Sequence, residues 1–448
     1  MHPLDDGIDT RVGKGAAALL AVAAALPSAT ELAADLASVQ AALGRGYFLP
    51  DEDEQVRRRY VGFLSLRAVL LETLAELAPA AGAGTLEWRQ RLPVFTAAFA
   101  TACVLARTNR FVIDLAGDKP LLWKKLDEAD VVVGVPRKTF TAIFKSATRP
   151  ADLRRFLAAT DFYFAHHEEI RALGADPRLE AVVALLAVEE PLLERRRRDA
   201  LRRLFAYRWF SFLRRHRSAW RQVMFGIFEA SGRAISELRQ PGGKPAGAPK
   251  RITPELRAAL PPHLCPGDVF ATRHDDALSN WFLPGYWPHT ALYLGSGADC
   301  ARLGLAVAPG DGHWMLEAKK DGVLLRPLAE TLAVDAFVVL RSPLAEAEIA
   351  TALTRALSHA GKPYDFLFDF RTADCLACSE VVYRSYHGIG PLRFQLEERG
   401  GRLCLSTEEF IKQSLAVGFQ VIVAGGIRWG GLSFGVAAAA EFAGTPHP

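Results

Sequence analysis

The sequence has few cysteines, no long uncharged apolar run and little excess of one charge. Six cysteines in 448 residues are too sparse for the disulfide framework of a small secreted domain, so reduced thiols are expected. No run of roughly 18 or more uncharged apolar residues marks a membrane-spanning helix. The 54 basic and 50 acidic side chains give a net charge of +4, which by itself is too mild to indicate a nucleic-acid partner.

Apolar residues, by contrast, are plentiful. They make up 50% of the chain, and charged residues make up 23%, a balance that excludes a mainly disordered or collagen-like protein. A chain of this length is expected to contain two or three domains. No fixed-period repeat is visible, so we expect globular domains rather than a solenoid.

An alanine-rich segment near the N-terminus, residues 15–26 (GAAALLAVAAAL), has the length of a signal-peptide core and is followed by Pro27-Ser28-Ala29. A signal peptide begins with positive charge, whereas Asp5, Asp6 and Asp9 precede this segment. We therefore interpret the segment as an ordinary helix and expect a cytoplasmic protein or one peripheral to a membrane. Export by a signal remains the alternative.

A stretch rich in proline and glycine predicts the boundary between two domains. Residues 241–251 (PGGKPAGAPKR) contain three prolines and three glycines and cannot continue a helix or a central strand. Residues 1–240 carry apolar side chains at helical spacing and are expected to form an all-helical domain. The clearest helical patterns lie at residues 56–77, 88–112, 151–173, 179–193 and 198–238.

Residues 252–448 have a different pattern, in which short β-favouring runs are separated by turns rich in glycine and proline. Because successive runs are joined by turns rather than by crossover helices, we expect an α+β fold with a mainly antiparallel sheet. Strands are expected near residues 268–271, 290–294, 314–318, 336–340 and 419–423, and helices near 346–360, 379–386 and 407–415.

Three residues of this C-terminal domain, His289, Glu317 and Cys378, are candidates for chemistry. Cys378 begins a predicted helix, where unpaired N–H groups and the helix dipole favour a thiolate, the nucleophile of acyl transfer. His289 begins a predicted strand and is a credible proton acceptor, and Glu317 is a lone acid in an apolar strand that needs a partner. Each also has a structural interpretation: a buried thiol, a turn histidine, and a carboxylate paired with Lys319 or Lys320.

Cys375 and Cys378 together form a Cys-x-x-Cys pair with further interpretations. The pair suits a redox disulfide, although the flanking sequence lacks the expected βαβ setting. With His387 and Cys404 it offers four ligands for zinc, but their spacing matches no standard finger. The residues alone leave these alternatives open.

The sequence around the three candidates resembles one family throughout. We identify the resemblance with the circularly permuted branch of the NlpC superfamily of papain-like cysteine hydrolases, the YiiX/YebB-like group, over residues 263–425. In that branch the histidine precedes the cysteine, as it does here. The matching motifs are Pro266-Gly267-Asp268-Val269-Phe270, Pro288-His289-Thr290-Ala291, Leu316-Glu317-Ala318, Gly361-Lys362-Pro363-Tyr364-Asp365 and Cys378-Ser379-Glu380-Val381-Val382.

The resemblance implies a circularly permuted papain-like domain that needs no metal or organic cofactor. It implies that Cys378 is the nucleophile, His289 the base and then the acid, and Glu317 the group that orients the imidazole. Tyr364 matches the tyrosine of the family's Tyr-Asp motif. The resemblance implies that its hydroxyl lies near the cysteine and helps to stabilise an oxyanion. The sequence departs from the family at Thr290-Ala291, where Val-Gly is usual, and this change would narrow the site.

We therefore expect a cysteine hydrolase that acts on a peptide or cell-wall-peptide-like amide bond through a thioester acyl-enzyme. The aromatic rim at residues 281–287 would also suit an acyl chain, so a lipid acylhydrolase or acyltransferase at a membrane surface is the second interpretation. A third is a non-catalytic binding or membrane-associated protein that retains the fold. The sequence does not predict the oligomeric state.

An arginine-rich segment lies before the linker. Residues 195–221 contain eleven arginines, one acidic residue and no lysine, interleaved with aromatic side chains. On a helix this pattern gives a cationic side and an apolar side. We favour a bundle helix with solvated or paired arginines; the alternative is peripheral contact with an anionic membrane, and nucleic-acid binding is not expected.

Overall fold

The computed structural model describes residues 3–82, 86–194, 249–275, 285–307, 310–399, 401–427 and 431–445. These residues form two compact units. The first contains most of the described residues up to 194, and the second contains those from 249 on together with residues 48–53 and 128–136. The arginine-rich segment 195–221 and most of the linker at 241–251 lie outside the described residues, so the domain boundary stays a prediction.

The first unit is helical, as the sequence predicts. Its helices are α1 (Pro3–Ala25), α2 (Ala29–Arg45), α3 (Pro50–Gly82), α4 (Trp88–Ala116), α5 (Pro120–Leu126), α6 (Thr139–Ala147), α7 (Pro150–Ala165) and α8 (His167–Ala172), with α9 at residues 180–194. Helix α1 packs against α4, and Leu19, Leu70 and Phe99 are buried in one apolar cluster. Such burial of one face is what stabilises an amphipathic helix.

One predicted helix is interrupted. The apolar pattern at 151–173 predicts a continuous helix, but α7 ends at Ala165 and α8 begins at His167. Between them His166 has φ −115° and ψ 24°, and its Nδ1 lies 2.9 Å from Glu169 Oε1. The helix is therefore broken at His166, where the ring contacts the first turn of α8. The spacing of apolar residues does not predict this break.

No single helix among the described residues meets the length and hydropathy of a membrane span. One bent pair, Gly7–Ala25 with Thr30–Arg45, meets them when its two members are taken together.

The second unit is built on a seven-stranded antiparallel sheet, which confirms the α+β prediction. Its strands are β1 (Val269–Arg273), β2 (His289–Ser296), β3 (His313–Lys319), β4 (Gly322–Pro327), β5 (Ala336–Arg341), β8 (Gln420–Gly425) and β9 (Leu432–Phe434). Two further strands, β6 (Glu397–Arg399) and β7 (Arg402–Cys404), form a separate hairpin. The order in the sheet is β4-β3-β2-β1-β5-β8-β9. The sequence does not predict β4, an edge strand that carries Arg326 and Pro327, because proline and charge are typical of loops as well as of sheet edges.

Both faces of the sheet are covered, so its strands are nearly continuously apolar. Val269 lies opposite Leu292 and Leu340, and these three pack in the larger cluster with helices of the same unit. Their neighbours, such as Phe270 and Val339, pack in a second cluster on the other face. The helices of the unit are α10 (Pro254–Ala258), α11 (Gly297–Arg302), α12 (Leu328–Thr331), α13 (Glu346–Leu357), α14 (Cys378–Tyr386), α15 (Thr407–Ala416) and α16 (Gly435–Ala443).

Helix α14 determines where the candidate site lies. It packs against β2 and β3 in the sheet and against α13, and every residue from Cys378 to Tyr386 is buried. Its first residue therefore meets the first residue of β2, His289. The fold brings together two side chains that are 89 positions apart in the sequence, since Cys378 and His289 form a side-chain hydrogen bond. Cys378 Sγ also lies 4.0 Å from the carbonyl oxygen of Pro288.

Candidate active site

His289 and Glu317 are held by neighbouring strands. Strands β2 and β3 pair with Ala291 opposite Glu317. His289 lies two residues before Ala291 on β2, so it is a diagonal cross-strand neighbour of Glu317. His289 Nε2 lies 2.8 Å from Glu317 Oε2. Because Nε2 is engaged with Glu317, Nδ1 is the ring nitrogen left for other partners.

The Glu317 carboxylate is buried among donors. Its other oxygen, Oε1, lies 2.6 Å from Lys319 Nζ and 3.1 Å from Arg326 Nε, and it accepts a hydrogen bond of 3.1 Å from Thr331 Oγ1. Burial opposes ionisation, but His289 and Lys319 outweigh it and lower the pKa of Glu317 to about 2. Glu317 is therefore a carboxylate at neutral pH.

Cys378 lies where an α-helix favours an anion. It is the first residue of α14, where backbone N–H groups lack partners within the helix. Burial raises the pKa of its thiol, but the charge and hydrogen bond of His289 and the N–H groups of Thr290 and Ser379 outweigh burial and lower the pKa below its usual value of 9. These are the conditions that produce a reactive thiolate.

The pKa of His289 is shifted in the complementary direction. Burial opposes protonation of the ring, but the hydrogen bond and charge of Cys378, and then those of Glu317, raise the pKa to about 9. The low pKa of Cys378 and the high pKa of His289 both favour a thiolate–imidazolium pair. Such a pair has a nucleophile and a proton donor in contact.

Tyr364 completes the group. Its backbone bridges to Leu376, two residues before the helix, and its ring contacts those of Phe366 and Phe368. Burial, the charge of Cys378 and a hydrogen bond to Cys378 raise the pKa of its phenol well above 10. The hydroxyl is therefore a neutral donor beside the sulfur, where charge would develop during attack on a carbonyl.

A buried ion pair anchors the helix that carries Cys378. Arg384 Nε donates to Glu380 Oε1 at 2.8 Å, and Arg384 Nη2 donates to the carbonyl oxygens of Phe370 and Thr372 at 3.0 and 2.9 Å. Glu380 Oε2 accepts from the N–H of Ala377 at 3.4 Å. The pair thus links the start of α14 to the loop that precedes it.

A cavity of about 230 Å³ opens beside the sulfur. Its walls are largely apolar, with Leu367, Phe368 and Leu405 among them, and two arginines, Arg399 and Arg402, come from the β6–β7 hairpin. Sequence reasoning did not find these wall residues, because they come from loops and a short hairpin without periodic patterning. It also did not find the contacts of Arg326 and Thr331 with Glu317.

The structure bears on the other interpretations of the candidate residues, namely a disulfide, a metal site and a structural ion pair. All six cysteines are thiols, and Cys375 Sγ lies 3.9 Å from Asp374 Oδ1. Within the described part of the chain, no group of three histidine, cysteine or acidic residues has the geometry of a metal site. Glu317 contacts both His289 and Lys319, so the structural ion pair and the imidazole contact coexist. The aromatic rim at 281–287 lies partly outside the described residues.

A family comparison agrees with this geometry. Residues 263–399, less than a third of the chain, match the model of a family described as permuted papain-like amidase enzyme, YaeF/YiiX, C92 family. The C-terminal region is a permuted papain-like domain. The matched family is one of cysteine hydrolases of the amidase type, and the match confirms the predicted fold and enzyme class. Membership of the wider NlpC superfamily stays a prediction. Comparison with curated proteins and with solved structures gave no match.

Proposed function

We propose that the protein hydrolyses an amide bond through a covalent thioester on Cys378. The observation that carries the proposal is the arrangement of three side chains: a thiol of lowered pKa at the start of α14, in contact with His289, whose other ring nitrogen lies 2.8 Å from the buried Glu317 carboxylate. Nucleophile, base and orienting group have this relation in thiol hydrolases of unrelated fold.

In the first half of the proposed reaction, the Cys378 thiolate attacks the amide carbonyl carbon and forms a C–S bond. The electron pair of the carbonyl moves to its oxygen, and the Tyr364 hydroxyl and the N–H of Cys378 donate to that oxyanion. The imidazolium of His289 gives its Nδ1 proton to the departing nitrogen as the C–N bond breaks. The amine leaves and a thioester remains.

In the second half, water attacks the thioester while His289 Nδ1 accepts its proton. The tetrahedral intermediate collapses with release of the carboxylic acid and return of the thiolate. Glu317 keeps a proton on Nε2 throughout, so that Nδ1 alternates between donor and acceptor. None of these steps needs a cofactor.

The test is the hydrolysis of aminomethylcoumarin amides of N-acetylated amino acids and short peptides, with acid quenching to trap the acyl-enzyme. We expect turnover by the full chain, an acyl mass on the peptide containing Cys378, and loss of both in Cys378→Ala. Cys375→Ala is the matched control, since it removes a neighbouring thiol outside the proposed machinery, and it should stay active.

Three results would contradict the proposal. Turnover that survives Cys378→Ala, or an acyl group on another residue, would remove Cys378 from the reaction. Cleavage of long-chain acyl esters with no cleavage of amides would instead support the acylhydrolase interpretation, for which the apolar walls formed by Leu367, Phe368 and Leu405 provide a surface. Membrane contact through residues 195–221 and a cytoplasmic or peripheral location remain predictions.

A further inference from the structure

A second cavity belongs to the helical unit and has no part in the proposed chemistry. It has a volume of about 590 Å³ and lies between α1, α2, α3, α4 and α5. This volume falls within the range of roughly 300–1,000 Å³ that is typical of small-molecule sites. Its walls are mainly leucine, valine, alanine and aromatic side chains, and Phe111 remains 39% exposed in it.

Charge at the cavity has one predominant sign. Three arginines, Arg58, Arg59 and Arg107, line it, against a single carboxylate, Asp35. Arg59 pairs with Asp35 at 2.8 Å, so the other two cations are in excess over the acids of the lining. An apolar cavity lined in part by cationic side chains is complementary to a molecule that has a hydrocarbon chain and an anionic head group.

Arg58 is the cation best placed to meet such a head. Its side chain is 70% exposed, and its nearest acid, Glu54, lies at 3.7 Å, a contact that contributes little in water. Arg107 is different, because it pairs at 2.9 Å with Glu189, whose side chain is 4% exposed. Arg107 therefore has a structural role, and Arg58 has the charge available to a ligand.

A second observation concerns Tyr60, which also lines the cavity. Its hydroxyl oxygen is buried, and none of the described residues forms a hydrogen bond with it. A buried hydroxyl without a partner destabilises the fold, so natural proteins seldom keep one without a ligand or water to satisfy it.

We infer that this cavity binds a long-chain fatty acid, with the hydrocarbon chain among the apolar side chains and the carboxylate near Arg58. The inference concerns the helical unit alone and is independent of the reaction proposed for Cys378. It assigns the helical unit a ligand that nothing in the sequence motifs indicates.

Gly62 allows a test that does not disturb the core. It lines the cavity on α3, and a Cβ atom added there would meet nothing within 4 Å. Gly62→Leu therefore adds a side chain at the wall of the cavity, and its Cβ atom meets no neighbour in the empty protein. It also removes a helical glycine, which favours the folded state. Gly44→Leu is the matched control, since Gly44 is an exposed helical glycine outside the cavity with equally open surroundings.

The experiment titrates the full chain with cis-parinaric acid, a fluorescent fatty acid, and then displaces the probe with palmitate. We expect saturable binding, retained in Gly44→Leu and weakened about 5- to 150-fold in Gly62→Leu, because overpacking a filled site costs about 1–3 kcal/mol. Arg58→Gln should weaken palmitate about two- to fivefold, in line with an exposed charge pair, and leave hexadecanol unchanged. Circular dichroism and the Tm verify that each variant is folded.

Three outcomes would overturn the inference. The first is absence of saturable probe binding by the wild-type chain. The second is equal binding by Gly62→Leu and Gly44→Leu, which would place the probe elsewhere, for example in the apolar cavity beside Cys378. The third is displacement by hexadecanol or by a cationic amphiphile of equal chain length as effectively as by palmitate, which would contradict an anionic ligand.

Discussion

The substitution Glu317→Gln changes one atom of the candidate site and has a consequence that follows from its surroundings. Oε1 of Glu317 faces Lys319 Nζ at 2.6 Å, the Thr331 hydroxyl at 3.1 Å and the Arg326 guanidinium, whose Nε lies at 3.1 Å. Oε2 faces His289 Nε2 at 2.8 Å. An amide must place its oxygen toward the two cations and the hydroxyl, so its NH₂ group is left facing His289.

This orientation inverts the histidine tautomer. The NH₂ group needs an acceptor, so Nε2 must lose its proton and the ring proton moves to Nδ1, the nitrogen that faces Cys378. A neutral ring in that state cannot accept a proton from the thiol or from water. Loss of the carboxylate charge also lowers the pKa of His289 from about 9, by about one unit or more.

The expected loss is large. Replacing the orienting carboxylate of a catalytic triad by its amide lowers kcat about 10⁴-fold through the wrong tautomer, so we expect kcat/KM to fall roughly 10³–10⁴-fold, or about 4–5.5 kcal/mol of transition-state stabilisation. Glu330→Gln is the control. Glu330 makes the same type of contact with Arg326, at 3.1 Å, but its side chain is 55% exposed, and its substitution should leave turnover nearly unchanged.

Two assays measure the effect. Turnover of the aminomethylcoumarin amide hydrolysed best by the wild type gives kcat/KM, and NMR of ¹³C-labelled histidine gives the tautomer and pKa of His289, assigned by comparison with His289→Ala. If Glu317→Gln keeps turnover within a few-fold of wild type and the Nε2–H tautomer persists, the orienting role of Glu317 is refuted.

Three further predictions concern the same unit. Tyr364→Phe should lower kcat about 10²–10³-fold with little change in the alkylation of Cys378; equal turnover would exclude the hydroxyl from the oxyanion site. Arg384→Met leaves Glu380 buried without its partner and should lower the free energy of unfolding, measured in urea, by about 3–5 kcal/mol; a change below about 1 kcal/mol would contradict this. The kcat/KM profile should rise as Cys378 ionises and fall through a pH of about 9 as His289 loses its proton; a profile flat through that pH would contradict the ion pair.

Much of the fold follows from local sequence patterns. Short apolar runs bounded by turns locate β1, β2, β3, β5 and β8, since strands covered on both faces are nearly continuously apolar, and helical periodicity locates α3 and α4. The edge strand β4 is not located, since Arg326 and Pro327 resemble loop residues. The break at His166 is also missed, because it involves a local polar contact rather than a change in periodicity.

The candidate site is predictable in part for the same reason. His289, Glu317 and Cys378 each interrupt or begin an otherwise apolar element, and the family resemblance connects them. Two further partners of the Glu317 carboxylate, Arg326 and Thr331, cannot be predicted in this way, because they reach it through side-chain conformation and strand pairing. The cavity in the helical unit likewise depends on gaps between helices, which no sequence pattern encodes.

The most direct test of the account is the pH dependence of iodoacetamide alkylation at Cys378, located by peptide mass, in the wild type and in His289→Ala. The exposed thiol of Cys265 provides an internal reference. The account predicts that wild-type Cys378 reacts at lower pH than Cys265 and that His289→Ala loses this advantage, by about tenfold in rate at acidic pH for each unit by which the thiol pKa rises. If Cys378 reacts no faster than Cys265 in both proteins, or equally fast with and without His289, the thiolate–imidazolium pair does not exist and the proposed hydrolysis is contradicted.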